Sequence, residues 1–135
     1  MSATVLEECA ELGRFMRGET DPACFPHREH VRMGFEMLRR HDFAEAAFRY
    51  SDALRSIVTK AGKAKIFHQT ITIAFLSLIA ERMEAAPYPD FETFAIANGD
   101  LIDKSALRRC YRAERLASEA ARRTFLLPEP IQRTP

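Results

Sequence analysis

The chain has 135 residues, 47% hydrophobic and 29% charged, with a formal net charge of +1. That composition excludes a disordered chain, and the length suffices for one core without disulfides or a structural metal. A near-neutral balance with no long Lys/Arg run leaves no footprint for nucleic acid or for an anionic membrane surface.

Three scattered cysteines, Cys9, Cys24 and Cys110, form no CxxC pair. They read as reduced thiols in a cytoplasmic protein. Glu7, Glu8 and Glu11 interrupt the first apolar positions, so no secretory signal is expected. The most apolar segment, Ile66 to Met83, carries His68, Gln69, Glu81 and Arg82 and is too short to span a membrane. It reads as the central helix of a bundle.

In chain order, Val5, Leu6, Cys9, Leu12, Phe15 and Met16 share one face of a helix over Thr4 to Arg17, stopped at Gly18. Asp21-Pro22 marks a loop. A second helix starts at Pro26 or His27 and runs to about Arg40, with Val31, Phe35 and Leu38 inward and Gly34 at a close packing point. Asp42 caps a third, faced by Ala46, Ala47, Tyr50, Leu54, Ile57 and Val58. The fourth begins near Lys65 with Phe67, Ile71, Ala74, Phe75, Leu78 and Ile79, and Pro87-Tyr88-Pro89 breaks it. Asp90 caps a short fifth helix closed by Asn98-Gly99. Asp103-Lys104-Ser105 leads into a helix with Leu107 and Tyr111, and Ser118 caps a last turn or two. From Leu127 the prolines predict an extended surface tail. No segment alternates like a strand. The expected fold is all-α, a single compact domain of about five to seven mainly antiparallel helices. Residues 1–25 form its N-terminal helix and loop, 26–124 the core bundle and 125–135 the tail.

Alternating helix direction places the starts of helices two and four, and the exit of helix five, at one end. His27 and His30, three residues apart, then sit as surface neighbours near His68. Three neutral imidazoles in that arrangement suit one divalent ion, zinc or iron. The expected function is a metal-dependent hydrolase, lyase or oxygenase acting on a small anionic molecule. His27, His30 and His68 serve as metal ligands, with Asp103, Lys104 and Thr72 as catalytic residues. Lys104 neutralises the anionic group of the substrate. Two alternatives stand beside it. One is acid–base catalysis by His68 with His30, without a metal. The other is a non-catalytic interaction module, since Gly34 to Leu54 is similar to one tetratricopeptide-type hairpin. The expected partner is a small-molecule ligand, without nucleic acid or membrane, and a homodimer stays open.

Three motifs in order, Phe25 to His30, Phe67-His68-Gln69-Thr70-Ile71-Thr72 and Leu101-Ile102-Asp103-Lys104-Ser105, resemble a family of small bacterial all-helical proteins without a settled activity. The family pattern runs HxxH, then YHxTIT, then LLDKS. The resemblance implies a shared site at His27, His30, His68, Thr72, Asp103, Lys104 and Ser105, with Arg109 and Tyr111. It also implies that Ser105, Arg109 and Tyr111 join Lys104 in holding the substrate. Phe67 stands where the family has tyrosine, which removes a phenol from that site.

Overall fold

The computed structural model describes residues 3–130, with side chains described from residue 10 onward. Every regular element in that range is helical. The first helix, α1 (Ala3–Met16), buries Leu12 and Phe15. The side chains of Val5, Leu6 and Cys9 lie outside the described residues. Gly18 reverses the chain at a φ of 70°, a conformation that favours glycine. Lys60 Nζ donates to the carbonyls of Arg17 and Gly18, so the ends of α1 and the third helix are tied.

After a 3-10 turn at Pro22–Cys24 capped by Asp21, α2 spans His27–Arg40 and α3 spans Phe43–Lys60. Pro26 is the residue before the first turn of α2, where its missing N–H costs nothing. Asp42 accepts from the Glu45 N–H at 2.9 Å and caps α3 as expected. The two helices form a hairpin across His41 and Asp42. Gly34 meets α4 (Gln69–Ala85) closely: a methyl group there would lie 3.0 Å from Ile79 Cδ1 and 3.2 Å from Leu76 Cδ1.

The fourth helix starts later than its apolar pattern predicts. A 3-10 turn occupies Ala64–Ile66, and His68 is the capping residue, not a member of the first turn. The fifth helix, α5 (Phe91–Ala97), is capped by Asp90. It ends when the Asn98 amide donates to the Phe94 carbonyl, and Gly99 keeps a negative φ. Two 3-10 turns follow, at Gly99–Ile102 and Lys104–Arg109. The short helices α6 (Ala113–Leu116) and α7 (Glu119–Arg123) complete the fold, the second capped by Ser118.

Two apolar clusters flank α2. Val31 and Phe35 pack with Phe75, Phe94, Leu101, Leu107 and Tyr111 on one side. Met33 and Met37 pack with Phe15, Tyr50, Ile57 and Leu76 on the other. A helix buried on two sides is fixed in rotation as well as position, which matters for the histidines in its first turn. Phe67 belongs to the second cluster, with the Arg55 guanidinium 4.8 Å over its ring.

Residues 125–130 form no helix and lie against the bundle as an extended strap. Thr70 Oγ1 donates to the Thr124 carbonyl and accepts from the Leu126 N–H, and Tyr111 donates to the Leu126 carbonyl. The rest of the expected tail, 131–135, lies outside the described residues. Among the described residues, no helix is long and apolar enough to cross a membrane.

Candidate functional site

The starts of α2 and α4 do share one end, as the alternation of helices requires. A cavity of about 330 Å³ opens there. His27, His30 and Val31 of α2 line it together with Tyr50 and Leu54 of α3, and Ile71, Thr72, Phe75 and Ile79 of α4. Phe25 and Pro26 close one side, and Lys104 reaches it from the turn after α5. The volume sits at the lower end of the roughly 300–1,000 Å³ common for small-molecule pockets.

The two imidazoles are held by their surroundings. His27 Nε2 lies 3.0 Å from the Leu101 carbonyl, so that nitrogen carries the proton and Nδ1 is left as an acceptor. Its ring meets Phe75 edge-on, with centroids 4.9 Å apart. His30 packs on Phe25 at a centroid distance of 4.3 Å. Burial is the largest effect on both, and it favours the neutral ring. His27 falls below the usual histidine value by burial, opposed by its bond to Leu101 and reinforced by Lys104. His30 falls further, to about 4, through burial and then the neighbouring His27. Tyr50 donates to the His30 carbonyl at 2.9 Å and so ties α3 to the first turn of α2.

The third histidine does not join them. His68 Nδ1 accepts from the Ile71 N–H at 3.0 Å, and Nε2 donates to the Leu116 carbonyl at 2.7 Å. Both nitrogens are consumed in holding α4 and α6, and His68 lines a separate, neighbouring cavity. His27 and His30 themselves have ring centroids 6.3 Å apart and nearly parallel planes. Two rings on one tetrahedral ion would sit nearer, about 5 Å apart, given metal–nitrogen bonds near 2.0–2.1 Å. Among the described residues, no group of three or more His, Cys, Asp or Glu side chains could hold a metal ion.

The expected zinc or iron site at His27, His30 and His68 is therefore corrected, and with it the metal-dependent hydrolase, lyase or oxygenase and its metal cofactor. Acid–base work by His68 with His30 fails because both His68 nitrogens are hydrogen-bonded to backbone groups.

The other residues singled out in the sequence divide clearly. Thr72 and Lys104 line the cavity with the two histidines. Asp103 is exposed, and its carboxylate accepts from the Ser105 N–H at 2.9 Å, which holds it below the usual carboxylate range. It caps the turn that presents Lys104. Ser105 contributes that N–H and is half-buried. Arg109 pairs with Asp100 at 3.3 Å, alongside the stronger Arg82–Asp100 pair at 2.8 Å. Tyr111 is buried, with its phenol on the Leu126 carbonyl. Phe67 lies outside the cavity, so the phenol it lacks does not alter the cavity wall. Tyr50, Leu54 and Ile79, read only as core positions, turn out to form the cavity floor. Ile71, expected inward, stands at the rim and is 36% exposed.

Set against known proteins, the chain matches no family model, no curated protein and no solved structure.

Proposed function

We propose that this protein binds a small molecule with an apolar body and an anionic group, seated in the cavity shared by the starts of α2 and α4. One observation carries the reading. Three separate segments converge His27, His30, Thr72 and Lys104 on one cavity whose remaining wall is almost wholly apolar. Few polar groups on an apolar wall are what orient a small ligand. Of the residues the motif resemblance implies, His27, His30, Thr72 and Lys104 line this cavity, and the resemblance supports a shared binding site without a metal.

The chemistry of each group sets the ligand. Val31, Leu54, Phe75 and Ile79 take an apolar, preferably aromatic, body. Burial favours the neutral form of His27 and His30, and His27 spends its N–H on the Leu101 carbonyl, so its Nδ1 offers an acceptor to a ligand hydroxyl or amide. A histidine held near 4 is a weak proton acceptor at neutral pH, which favours recognition over proton transfer. Lys104 is exposed at the rim, where a ligand carboxylate or phosphate meets it with part of its hydration retained.

Calorimetric titration with 3-phenylpropionate and with its uncharged amide tests the reading. The acid is expected to bind roughly fivefold more tightly, the worth of a partly exposed ion pair. Lys104→Met is expected to erase that preference while leaving binding of the amide. Absence of binding to either probe, or an acid preference that survives Lys104→Met, would overturn it.

A further inference from the structure

The cavity has a neighbour. A second one of about 410 Å³ is lined by His68, Ile71, Phe75, Lys104, Leu107, Arg108, Leu116 and the alanines 113 and 117. Ile71, Phe75 and Lys104 line both cavities. The partition between them therefore contains side chains of α4 and the Lys104 turn, and Ile71 at its crest is more than a third exposed.

The two chambers differ in chemistry. The first is apolar with neutral imidazoles. The second adds Arg108 to the shared Lys104 and has Leu107, Leu116 and two alanines as its apolar wall. His68, the remaining polar group there, is spent on backbone. Arg108 and Lys104 belong to no ion pair found among the described residues. The exposed carboxylate of Asp103 is held below the usual range chiefly by its hydrogen bond to the Ser105 N–H, with a smaller contribution from Arg108, and forms no ion pair with that arginine. A path that begins in a largely apolar chamber thus meets Lys104 at the shared partition and Arg108 beyond it.

We propose that the two cavities form one elongated site for a long-chain amphipathic acid. Its apolar end fills the His27–His30 chamber, its chain crosses Ile71 and Phe75, and its anionic end lies between Lys104 and Arg108. This rests on the binding function proposed above and names the ligand class: an aryl-alkyl or acyl acid longer than the first chamber alone accommodates. A short acid stops at Lys104. A longer one gains the second chamber and its arginine.

Titration with ω-phenylalkanoates from 3-phenylpropionate to 8-phenyloctanoate tests this on the full chain. Affinity is expected to rise about threefold to fourfold for each methylene that becomes buried. Arg108→Ala and Ala117→Phe, both at exposed positions, are expected to remove the gain of the long acids and leave 3-phenylpropionate unchanged. Melting curves of both variants confirm that the fold is intact. Affinity that is flat with chain length overturns the elongated site, as does a long-acid gain that survives Ala117→Phe. In either case Lys104-dependent binding of the short acid would leave the single-chamber reading standing. Absence of binding at every length overturns both.

Discussion

Replacing His68 by alanine removes two hydrogen bonds at once, and its outcome separates a structural histidine from a ligand. The ring accepts the Ile71 N–H at 3.0 Å, which satisfies one of the unpaired donors at the start of α4. Loss of a side-chain cap costs about 1 kcal/mol. The second bond, 2.7 Å to the Leu116 carbonyl, joins α4 to α6 across 48 residues and contributes about 1 kcal/mol more. The sum is about 2 kcal/mol, or roughly 8 °C in Tm for a chain of this size. Asparagine also caps helices well but is too short to span to Leu116, so His68→Asn is expected to recover about half of the loss. Thermal melts by circular dichroism, with and without chelator, read the result. The expected order is wild type, then Asn, then Ala, with chelator changing none of them. A Tm within about 2 °C of wild type for His68→Ala, or equal losses in the two variants, would refute the capping argument.

Other outcomes follow from the same geometry. His30 has a folded-state value of about 4 against an ordinary 6.5. The unfolded chain therefore takes up the proton first, and stability falls as pH drops from 6.5 toward 4, by up to about 3 kcal/mol. Urea melts at pH 7 and pH 4.5 should show that loss, and His30→Gln should shrink it; an unchanged slope contradicts the neutral, buried imidazole. Thr70→Val removes its two hydrogen bonds, to Thr124 and Leu126, and is expected to cost about 2 kcal/mol and to raise the sensitivity of residues 124–130 to limited proteolysis, although Tyr111 still holds the Leu126 carbonyl. Gly34→Leu drives a side chain into Leu76 and Ile79, for a loss of about 3 kcal/mol or more in denaturant unfolding; a stable variant would show that α2 and α4 are not packed this closely.

Much of the fold was legible because local chemistry decides it. Asp42, Asp90 and Ser118 cap helices where their short oxygen-bearing side chains precede apolar runs. Helix alternation then places the starts of α2 and α4 together, and the cavity lined by His27, His30, Thr72 and Lys104 lies at that end. His68 was misplaced for two physical reasons. Imidazole is an uncommon cap, so an apolar run beginning at Phe67 read as helix from the start. Its second partner, the Leu116 carbonyl, lies 48 residues away and leaves no trace in spacing. Proximity at one end of a bundle also does not fix where lone pairs point: imidazoles there could face one ion or, as for His27 and His68, separate backbone groups. Ile71 misled in the opposite way, since helical spacing marks a face but cannot distinguish the core from the rim of a cavity. Tyr50 kept its expected place, and burial pushes its phenol well above the usual range while its hydroxyl holds the His30 carbonyl.

The central claim is that a ligand enters the chamber between α2 and α4. Methyl NMR of the protein titrated with 3-phenylpropionate reads it directly. Saturable shifts are expected at Val31, Leu54, Ile71 and Ile79, which line the chamber, and not at Leu12 or Val58, which do not. Shifts that fail to saturate, or that spare those four residues, would contradict it.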